Sequence, residues 1–221
     1  MELISSLFDF IIHIDKHLVS IVNTYQYWTY LILFLIIFAE TGLVVTPFLP
    51  GDSLLFAIGA IIANPSSDLH ILLMWGLLIV AGVLGDWVNY HVGEYLGPKA
   101  FSGKYKLLKK EYLEKTEVFY NKYGGRTIIY ARFVPIIRTF APFVAGVGAM
   151  KYSRFFVFNV IGAFLWVSIF LFLGYFIGSN PFVQNNFTLI IFGIIFISIL
   201  PPIFATLKEK AKAKKQASDK I

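Results

Sequence analysis

Residues 131–146 read ARFVPIIRTFAPFVAG, and the apolar segment to which they belong runs from 127 to 150. A loop at 98–126 that is rich in lysine and arginine precedes this segment, and Lys151 and Arg154 follow it. Because an excess of lysine and arginine marks the cytoplasmic side of a membrane protein, both ends of the segment are expected on that side. A segment that starts and ends on one side does not cross once, so we predict a re-entrant hairpin of two half-helices.

A second interrupted apolar segment, residues 27–63, contains the sequence TPFLPG at 46–51. The loop that follows carries no positive charge, which places it outside, and we therefore predict a second hairpin that enters from the opposite face. A full crossing by residues 27–45 is the alternative, and it would move the N-terminus to the other side. The predicted breaks are Pro47, Pro50 and Gly51 in the first hairpin and Pro135 and Pro142 in the second.

The remaining segments complete an all-α, polytopic membrane protein that forms one domain over residues 1–221. From 155 to 207 there is no Asp, Glu, Lys or Arg, and a polar turn divides that stretch into two crossings. Two broken segments, each followed by a crossing helix, are typical of inverted-repeat transporters with a site near the membrane midplane. The predicted elements are an interfacial amphipathic helix at 1–26, crossing helices at 69–96, 155–178 and 187–207, and a basic cytoplasmic tail at 208–221.

The composition excludes a water-soluble globule. Of the 221 residues, 57% are hydrophobic and 14% are charged, against about 25% charged residues in ordinary soluble domains. The formal charge of +6 would suit nucleic acid, but the basic residues concentrate in one loop and the tail, which is the positive-inside pattern of a membrane protein. The chain has no cysteine, which excludes disulfides, thiolate metal sites and cysteine nucleophiles.

Four charged residues lie inside the two broken segments: Glu40 and Asp52 in the first, Arg132 and Arg138 in the second. Each isolated charge at the centre of a membrane helix costs roughly 2.5 to 3.5 kcal/mol, so these four are expected to pair, to face a hydrated cavity or to exchange protons. Arginines in a cavity between the hairpins suit a phosphate, because the guanidinium group binds phosphate in a fork and stays charged.

Structural alternatives exist for each of these residues. Asp52 follows Pro50-Gly51 and could serve only as the N-cap of the second half-helix, whereas Glu40 has no capping role and could form a structural ion pair. The two arginines could be anchors whose charged ends reach the membrane surface, Arg132 more readily than Arg138. Asp86, late in the crossing helix 69–96, is predicted as an acid at the interface, or alternatively as a relay into the cavity.

The tryptophans and histidines are predicted to be structural. Membrane-interface belts and helix packing account for the tryptophans better than ligand stacking does. His13 and His17 lie four residues apart on one helix face, but no third ligand is near, so no metal site is predicted. The tryptophans are Trp28, Trp75, Trp87 and Trp166.

The stretches 40–53, ETGLVVTPFLPGDS, and 131–146 closely resemble the signature of the DedA family of bacterial inner-membrane proteins, which carry a VTT-type (SNARE-associated) domain. The resemblance covers nearly the whole chain. It implies movement of lipids between leaflets, linked to the proton-motive force, with undecaprenyl phosphate recycling as the main expectation and phospholipid translocation, for example of phosphatidylethanolamine, as the alternative. Further matches are Gly85-Asp86, Tyr90, Gly93, Asn159, Gly162 and Trp166.

Together these inferences predict a transporter without a cofactor in the bacterial inner membrane, with protons and a membrane lipid as its partners. Arg132 and Arg138 would bind the lipid phosphate, while Glu40 and Asp52 would exchange protons and alternately pair with or release the arginines. The competing class is an intramembrane lipid-phosphate phosphatase, but the membrane segments offer no convincing histidine–acid constellation. A scaffold that transports nothing would leave the buried charges without a purpose. A homo-oligomer is left open.

Overall fold

The computed structural model describes residues 27–42, 51–64, 67–96 and 123–178, with scattered positions between 118 and 193. Every regular element in these ranges is helical, which confirms the all-α prediction. Four predicted segments lie wholly or largely outside the described residues: the amphipathic helix 1–26, the basic loop 98–126, the third crossing 187–207 and the tail 208–221. The helices are α1 (Trp28–Gly42), α2 (Gly51–Ile62), α3 (Ile71–Leu96), a 3-10 turn (Gly124–Arg126), α4 (Thr127–Ala131), α5 (Pro135–Val144), a π turn (Ala145–Ala149) and α6 (Tyr152–Gly178).

Two helices are long and apolar enough to cross a membrane, α3 with 26 residues and α6 with 27. At 1.5 Å per residue each spans about 40 Å, more than the roughly 30 Å of a bilayer's hydrocarbon core. Large apolar side chains such as Leu72 on α3 and Phe156 on α6 are exposed, as expected of surfaces that face lipid. Long apolar helices are therefore present where crossings were predicted at 69–96 and 155–178, with α6 beginning three residues earlier than expected, and that they cross the membrane stays a prediction.

Both broken segments contain two short helices. In the first, α1 has 15 residues and α2 has 12, and residues 43–50 between them, with Pro47 and Pro50, lie outside the described residues. In the second, α4 ends at Ala131 and α5 begins at Pro135. Neither short helix of a pair has the roughly 20 residues of a crossing. That each pair enters and leaves on one membrane face stays a prediction.

The break in the second segment follows from Pro135. Val134 has an extended backbone (φ −125°, ψ 103°), which is the conformation favoured before proline, and Pro135 then occupies the first turn of α5. Pro142, predicted as a further break, lies inside α5 instead. A proline removes one backbone hydrogen bond, and the helix continues into the π turn, the kind of local adjustment that lets membrane helices accommodate proline.

The two halves of the structure, α1–α2–α3 and α4–α5–α6, each pack one short helix against the long helix of the other half. The first short helix of each pair packs against the long helix that follows it, so α1 contacts α3 and α4 contacts α6. The second short helix packs against the other long helix, so α2 contacts α6 and α5 contacts α3. Exchanging α1–α2–α3 with α4–α5–α6 preserves this pattern, as two repeats would require. An opposite orientation of the two halves in the membrane stays a prediction.

Glycines allow the exchanged helices to touch backbone to backbone. Gly59 of α2 lies against the backbone carbonyl of Leu171, and Gly174 of α6 lies against that of Phe56, so a Cβ at either glycine would overlap the facing chain. Small residues at such crossings are how membrane helices approach closely. The crossing of α3 with α5 and the π turn is built in the same way, with Gly93 against Phe143 and Gly146 against Tyr90.

Candidate functional site

Arg138 joins both halves of the first broken segment to the second. Its Nη1 donates to Oδ1 of Asp52 at 2.9 Å, and its Nη2 donates to Oε1 of Glu40. Arg138 is the fourth residue of α5, whereas Glu40 lies near the end of α1 and Asp52 near the start of α2. All three side chains are buried. We call these residues the Arg138 centre, and its ion pairs hold three helices together.

Glu40 also ties the end of α1 to the start of α2. Its Oε1 accepts a hydrogen bond of 3.2 Å from the N–H of Gly51, the first residue of α2. A Cβ at Gly51 would overlap the Glu40 carboxylate, so only glycine gives the carboxylate this position. Glu40 thus caps the first N–H of α2. The sequence had suggested a capping role as an alternative for Asp52 and none for Glu40. Its other oxygen, Oε2, has no hydrogen-bond partner in the described part of the chain.

Arg132 lies in the break between α4 and α5 and reaches the two long helices. Its Nη2 donates to Oδ2 of Asp86 on α3 and to Oδ1 of Asn159 on α6, both at 2.6 Å. The same nitrogen lies 3.3 Å from the carbonyl oxygen of Gly82. The side chains of Arg132 and Asp86 are 1% and 2% exposed, so the surface-anchor alternative is wrong for Arg132, whereas the interface-level depth of Asp86 stays a prediction. We call this group the Arg132 centre.

The remaining nitrogens of Arg132 set it apart. Nε and Nη1 are buried and find no hydrogen-bond partner among the residues that the structure describes. Two glycines lie beside these nitrogens: a Cβ at Gly82 would lie 3.3 Å from Nη1, and one at Gly162 would lie 3.1 Å from Nε. A buried polar donor without a partner costs about 1–3 kcal/mol. These two donors are therefore the unsatisfied part of the Arg132 guanidinium group among the described residues.

Trp166 connects the two centres. It is fully buried, and its Nε1 donates to Oδ1 of Asp52 at 2.8 Å. The guanidinium carbons of Arg132 and Arg138 lie 5.7 and 5.3 Å from its ring centroid, within the range of a cation–π interaction. Trp166 is thus a packing residue inside the site and not part of an interfacial belt.

Two asparagines to which the sequence analysis assigned no role also belong to the site. Asn159 accepts from Arg132, and its Nδ2 donates to the carbonyl of Val83 at 3.0 Å. Asn89 is fully buried, and its Nδ2 donates to the carbonyl of Thr139 at 2.8 Å and to that of Thr41 at 3.4 Å. Their signal in the sequence is that each is an uncharged polar residue within an otherwise apolar crossing helix.

The buried charges do not balance. Glu40, Asp52 and Asp86 supply three carboxylates, whereas Arg132 and Arg138 supply two guanidinium groups, so with every group ionised these five residues carry a formal charge of −1. An uncompensated charge is costly in a membrane interior, and one proton would neutralise it. In the described ranges no three His, Asp or Glu side chains are close enough to hold a metal ion, while His13 and His17 lie outside those ranges.

Two apolar helices long enough to span a bilayer, packed around a buried cluster of opposite charges, are consistent with a membrane protein of the transporter kind. The chain belongs to the VTT-domain, or DedA, family: the family model described as "VTT domain" matches residues 49–176. It is 54% identical to Protein DedA of Escherichia coli K12 over 98% of this chain and all of that protein.

Two further relatives are named as membrane proteins. The uncharacterized membrane protein Rv0364 of Mycobacterium tuberculosis is 42% identical over 79% of this chain and 77% of that protein. The inner membrane protein YghB of E. coli K12 is 32% identical over 91% of this chain and 92% of its own length. No solved structure matches the chain. Family and apolar helices together identify a membrane protein, and none of the relatives' names states a lipid.

Proposed function

We propose that the protein moves a lipid with a phosphate headgroup across the bacterial inner membrane, driven by the proton-motive force. The observation that carries the proposal is the buried charge cluster in which Arg132 keeps two donors without partners in the described chain. Buried charges are costly enough in a membrane that they are functional by default. In this proposal the loop at 98–126 and the tail at 208–221 face the cytoplasm.

Arg132 receives the lipid phosphate in this proposal. Its Nε and Nη1 are free to donate to phosphate oxygens, while Nη2 stays fixed by Asp86 and Asn159. Charge-assisted hydrogen bonds of this kind are roughly twice as strong as neutral ones. Arg138, which is held by two carboxylates, reaches the phosphate only when Glu40 or Asp52 lets go. The two arginines therefore act in sequence.

The charge balance supplies the coupling to protons. A phosphate anion entering a cluster with a formal charge of −1 adds further negative charge to a low-dielectric site. Protonation of Glu40 or Asp52 offsets that charge and weakens the hold of the carboxylates on Arg138. Proton uptake and phosphate binding thus favour one another, and release of the proton on the other side favours release of the lipid.

Undecaprenyl phosphate is the lipid that we propose, because a single phosphate on a long apolar tail places its charge on Arg132 and leaves its chain against the exposed apolar sides of α3 and α6. The surplus carboxylate supports a second candidate, phosphatidylethanolamine, whose ammonium group it would pair with. The proposal requires no cofactor and no chemical step.

A leaflet-exposure assay in reconstituted vesicles tests this function. Purified protein is incorporated with either undecaprenyl phosphate or phosphatidylethanolamine, and the rate of lipid movement is measured with and without a proton gradient. We expect gradient-dependent movement of undecaprenyl phosphate. Movement of neither lipid would refute the translocase, and movement of phosphatidylethanolamine alone would replace the substrate. Phosphate released into solution during the same incubation would establish the phosphatase alternative in its place.

A further inference from the structure

A cavity of about 620 Å³ lies at the start of α6, outside both arginine centres. One wall is the 3-10 turn before α4, and another is the end of the π turn, where Gly148 has φ 136° and the chain turns towards α6. The described residues that line it are Tyr120, Asn121, Gly124, Gly125, Gly148, Met150, Lys151, Ser153 and Arg154.

The lining is positively charged. Lys151 and Arg154 are both exposed side chains, Ser153 adds a hydroxyl group, and no aspartate or glutamate is among the described lining residues. Arg154 is held against one wall, because its guanidinium carbon lies 5.9 Å from the ring centroid of Phe158. A Cβ at Gly125 would lie 3.0 Å from Nε of Arg154, so the glycine leaves room for the arginine. Two cations and a hydroxyl group around a roomy cavity of mixed polar and apolar lining suit an anion.

Partly exposed aromatic side chains surround the cavity. α6 begins beside it at Tyr152, which is 43% exposed, and the rings of Tyr123 and Tyr130 contact each other on the adjoining α4 side. Trp87 of α3 is also partly exposed and contacts His91, whose ring in turn contacts Tyr152. Exposed tyrosine and tryptophan side chains gather at the headgroup level of a bilayer. An anion bound here would be at the depth where lipid headgroups lie.

The elements that carry the cavity also carry the Arg132 centre. Along the 3-10 turn and α4, Arg132 follows Gly125 by seven residues, which is about 10 Å at 1.5 Å per residue. Along α6, Asn159 follows Arg154 by five residues, or about 8 Å. α4 and α6 pack against each other. A headgroup in the cavity is thus about two helical turns from the buried arginine.

We propose that this cavity binds the phosphate group of a membrane lipid at the surface, before the lipid enters the Arg132 centre. The proposal rests on the proposed function for its second half, the passage to Arg132. Its first half, phosphate binding by Lys151, Ser153 and Arg154, is measurable by itself. The shared chemistry is a phosphate group, and a free phosphate ion is the other source of it.

Binding is measured on the full chain in detergent, with farnesyl phosphate as a short polyprenyl phosphate and inorganic phosphate in a separate arm. The test variant combines Lys151→Gln with Arg154→Gln. We expect it to bind farnesyl phosphate about thirtyfold more weakly, since each basic side chain at an anionic headgroup contributes a factor of about five. The matched control is Arg126→Gln. Arg126 is exposed and belongs to the 3-10 turn beside the cavity, but its side chain does not line the cavity, so this variant is expected to bind as wild type.

A second variant, Ser153→Phe, fills the cavity without changing its charge and guards against misfolding of the double variant. Unchanged affinity in both variants would overturn the site. Inorganic phosphate binding as tightly as farnesyl phosphate would assign the cavity to the free ion and overturn the lipid assignment. Weak binding by the variants, together with wild-type protein that moves no lipid in vesicles, would keep the cavity site and refute the proposed function instead.

Discussion

Arg138 and Arg132 are buried among the same helices, yet their guanidinium groups are paired very differently. Arg138 uses two nitrogens to hold two carboxylates, one from each half of the first broken segment. Arg132 concentrates its contacts with Asp86 and Asn159 on a single nitrogen and leaves Nε and Nη1 unpartnered among the described residues. The first arrangement resists opening, and the second is ready for a ligand.

The sequence assigned phosphate binding to both arginines alike, and this difference in pairing distinguishes them. The Arg138 centre links α1, α2 and α5 through charges that a proton can break, which suits coupling. The Arg132 centre links α3 and α6 through one nitrogen and presents the others, which suits binding of a phosphate. Variants that affect one centre and spare the other are therefore the sharpest tests.

Arg138→Ala is expected to have the largest effect. It leaves Glu40 and Asp52 as uncompensated buried charges, and breaking a buried pair in this way costs about 3–5 kcal/mol. We expect the free energy of unfolding in mixed micelles to fall by that amount and lipid movement in vesicles to stop. Arg126→Ala, which removes an exposed arginine, is the control and should change neither. Wild-type lipid movement by Arg138→Ala would remove this centre from the mechanism.

Lysine substitutions compare the two arginines directly. Arg132→Lys keeps a cation that can occupy the position of Nη2 beside Asp86, but it loses the spare donors, so we expect nearly unchanged stability and lipid movement slowed about tenfold to a hundredfold. Arg138→Lys has one ammonium group for two carboxylates, and we expect a loss of stability of about 1–3 kcal/mol.

Thermal unfolding and the vesicle assay, run on both lysine variants, separate these outcomes. If Arg132→Lys moves lipid at the wild-type rate, Arg132 acts only as a generic cation and the phosphate assignment is wrong. If Arg138→Lys keeps full stability, the Arg138 centre does not clamp the helices.

Glu40→Gln is expected to change the response to protons more than the rate. Glutamine keeps an oxygen that can accept from the Gly51 N–H and from Arg138, but it carries no charge, so it mimics the protonated carboxyl. We expect lipid movement by Glu40→Gln to be the same with and without a proton gradient. The matched variant Asp86→Asn removes a carboxylate from the other centre and should keep the gradient response. The reverse result would exchange the roles of the two centres.

The sequence predicted the crossing helices and the four charged residues because both leave strong local signals. A long uncharged stretch marks α6, and a charge inside an apolar segment is costly enough to indicate function without knowledge of the fold. A break at Pro135 was likewise predicted, and the structure has one between α4 and α5. The prediction of a break at Pro142 was wrong, because the helix accommodates this proline through the π turn that follows it, which the proline alone does not indicate.

The pairing of the charges was not predictable from the sequence. Glu40 and Arg138 are 98 residues apart, and Arg132 and Asp86 are 46 apart, so which side chains meet depends on packing between distant helices, which includes the crossings of α2 with α6 and of α5 with α3. Those crossings depend on glycines that contact a distant backbone. For Trp166 the sequence predicted a belt or packing role, and the structure shows packing; its hydrogen bond to Asp52 left no local signal.

Trp166→Phe is expected to have the smallest effect on lipid movement, and it tests whether this ring only connects the two centres. Phenylalanine retains a ring near both guanidinium groups but removes the N–H that donates to Asp52. A hydrogen bond to a charged group contributes about 1.5–3 kcal/mol, so we expect a loss of stability in that range and lipid movement slowed a few-fold. Denaturant unfolding in micelles and the vesicle assay measure both.

Trp75→Phe is the matched control for that prediction. Trp75 donates to the hydroxyl group of Ser168 at 2.9 Å, and this bond also joins α3 to α6 but involves no charge. Because a neutral hydrogen bond contributes about 0.5–1.5 kcal/mol, the control should cost less stability and leave lipid movement unchanged. Equal losses from the two substitutions would mean that the bond to Asp52 is ordinary helix packing. Slower lipid movement in Trp166→Phe alone would show that fixing Asp52 matters for release of Arg138.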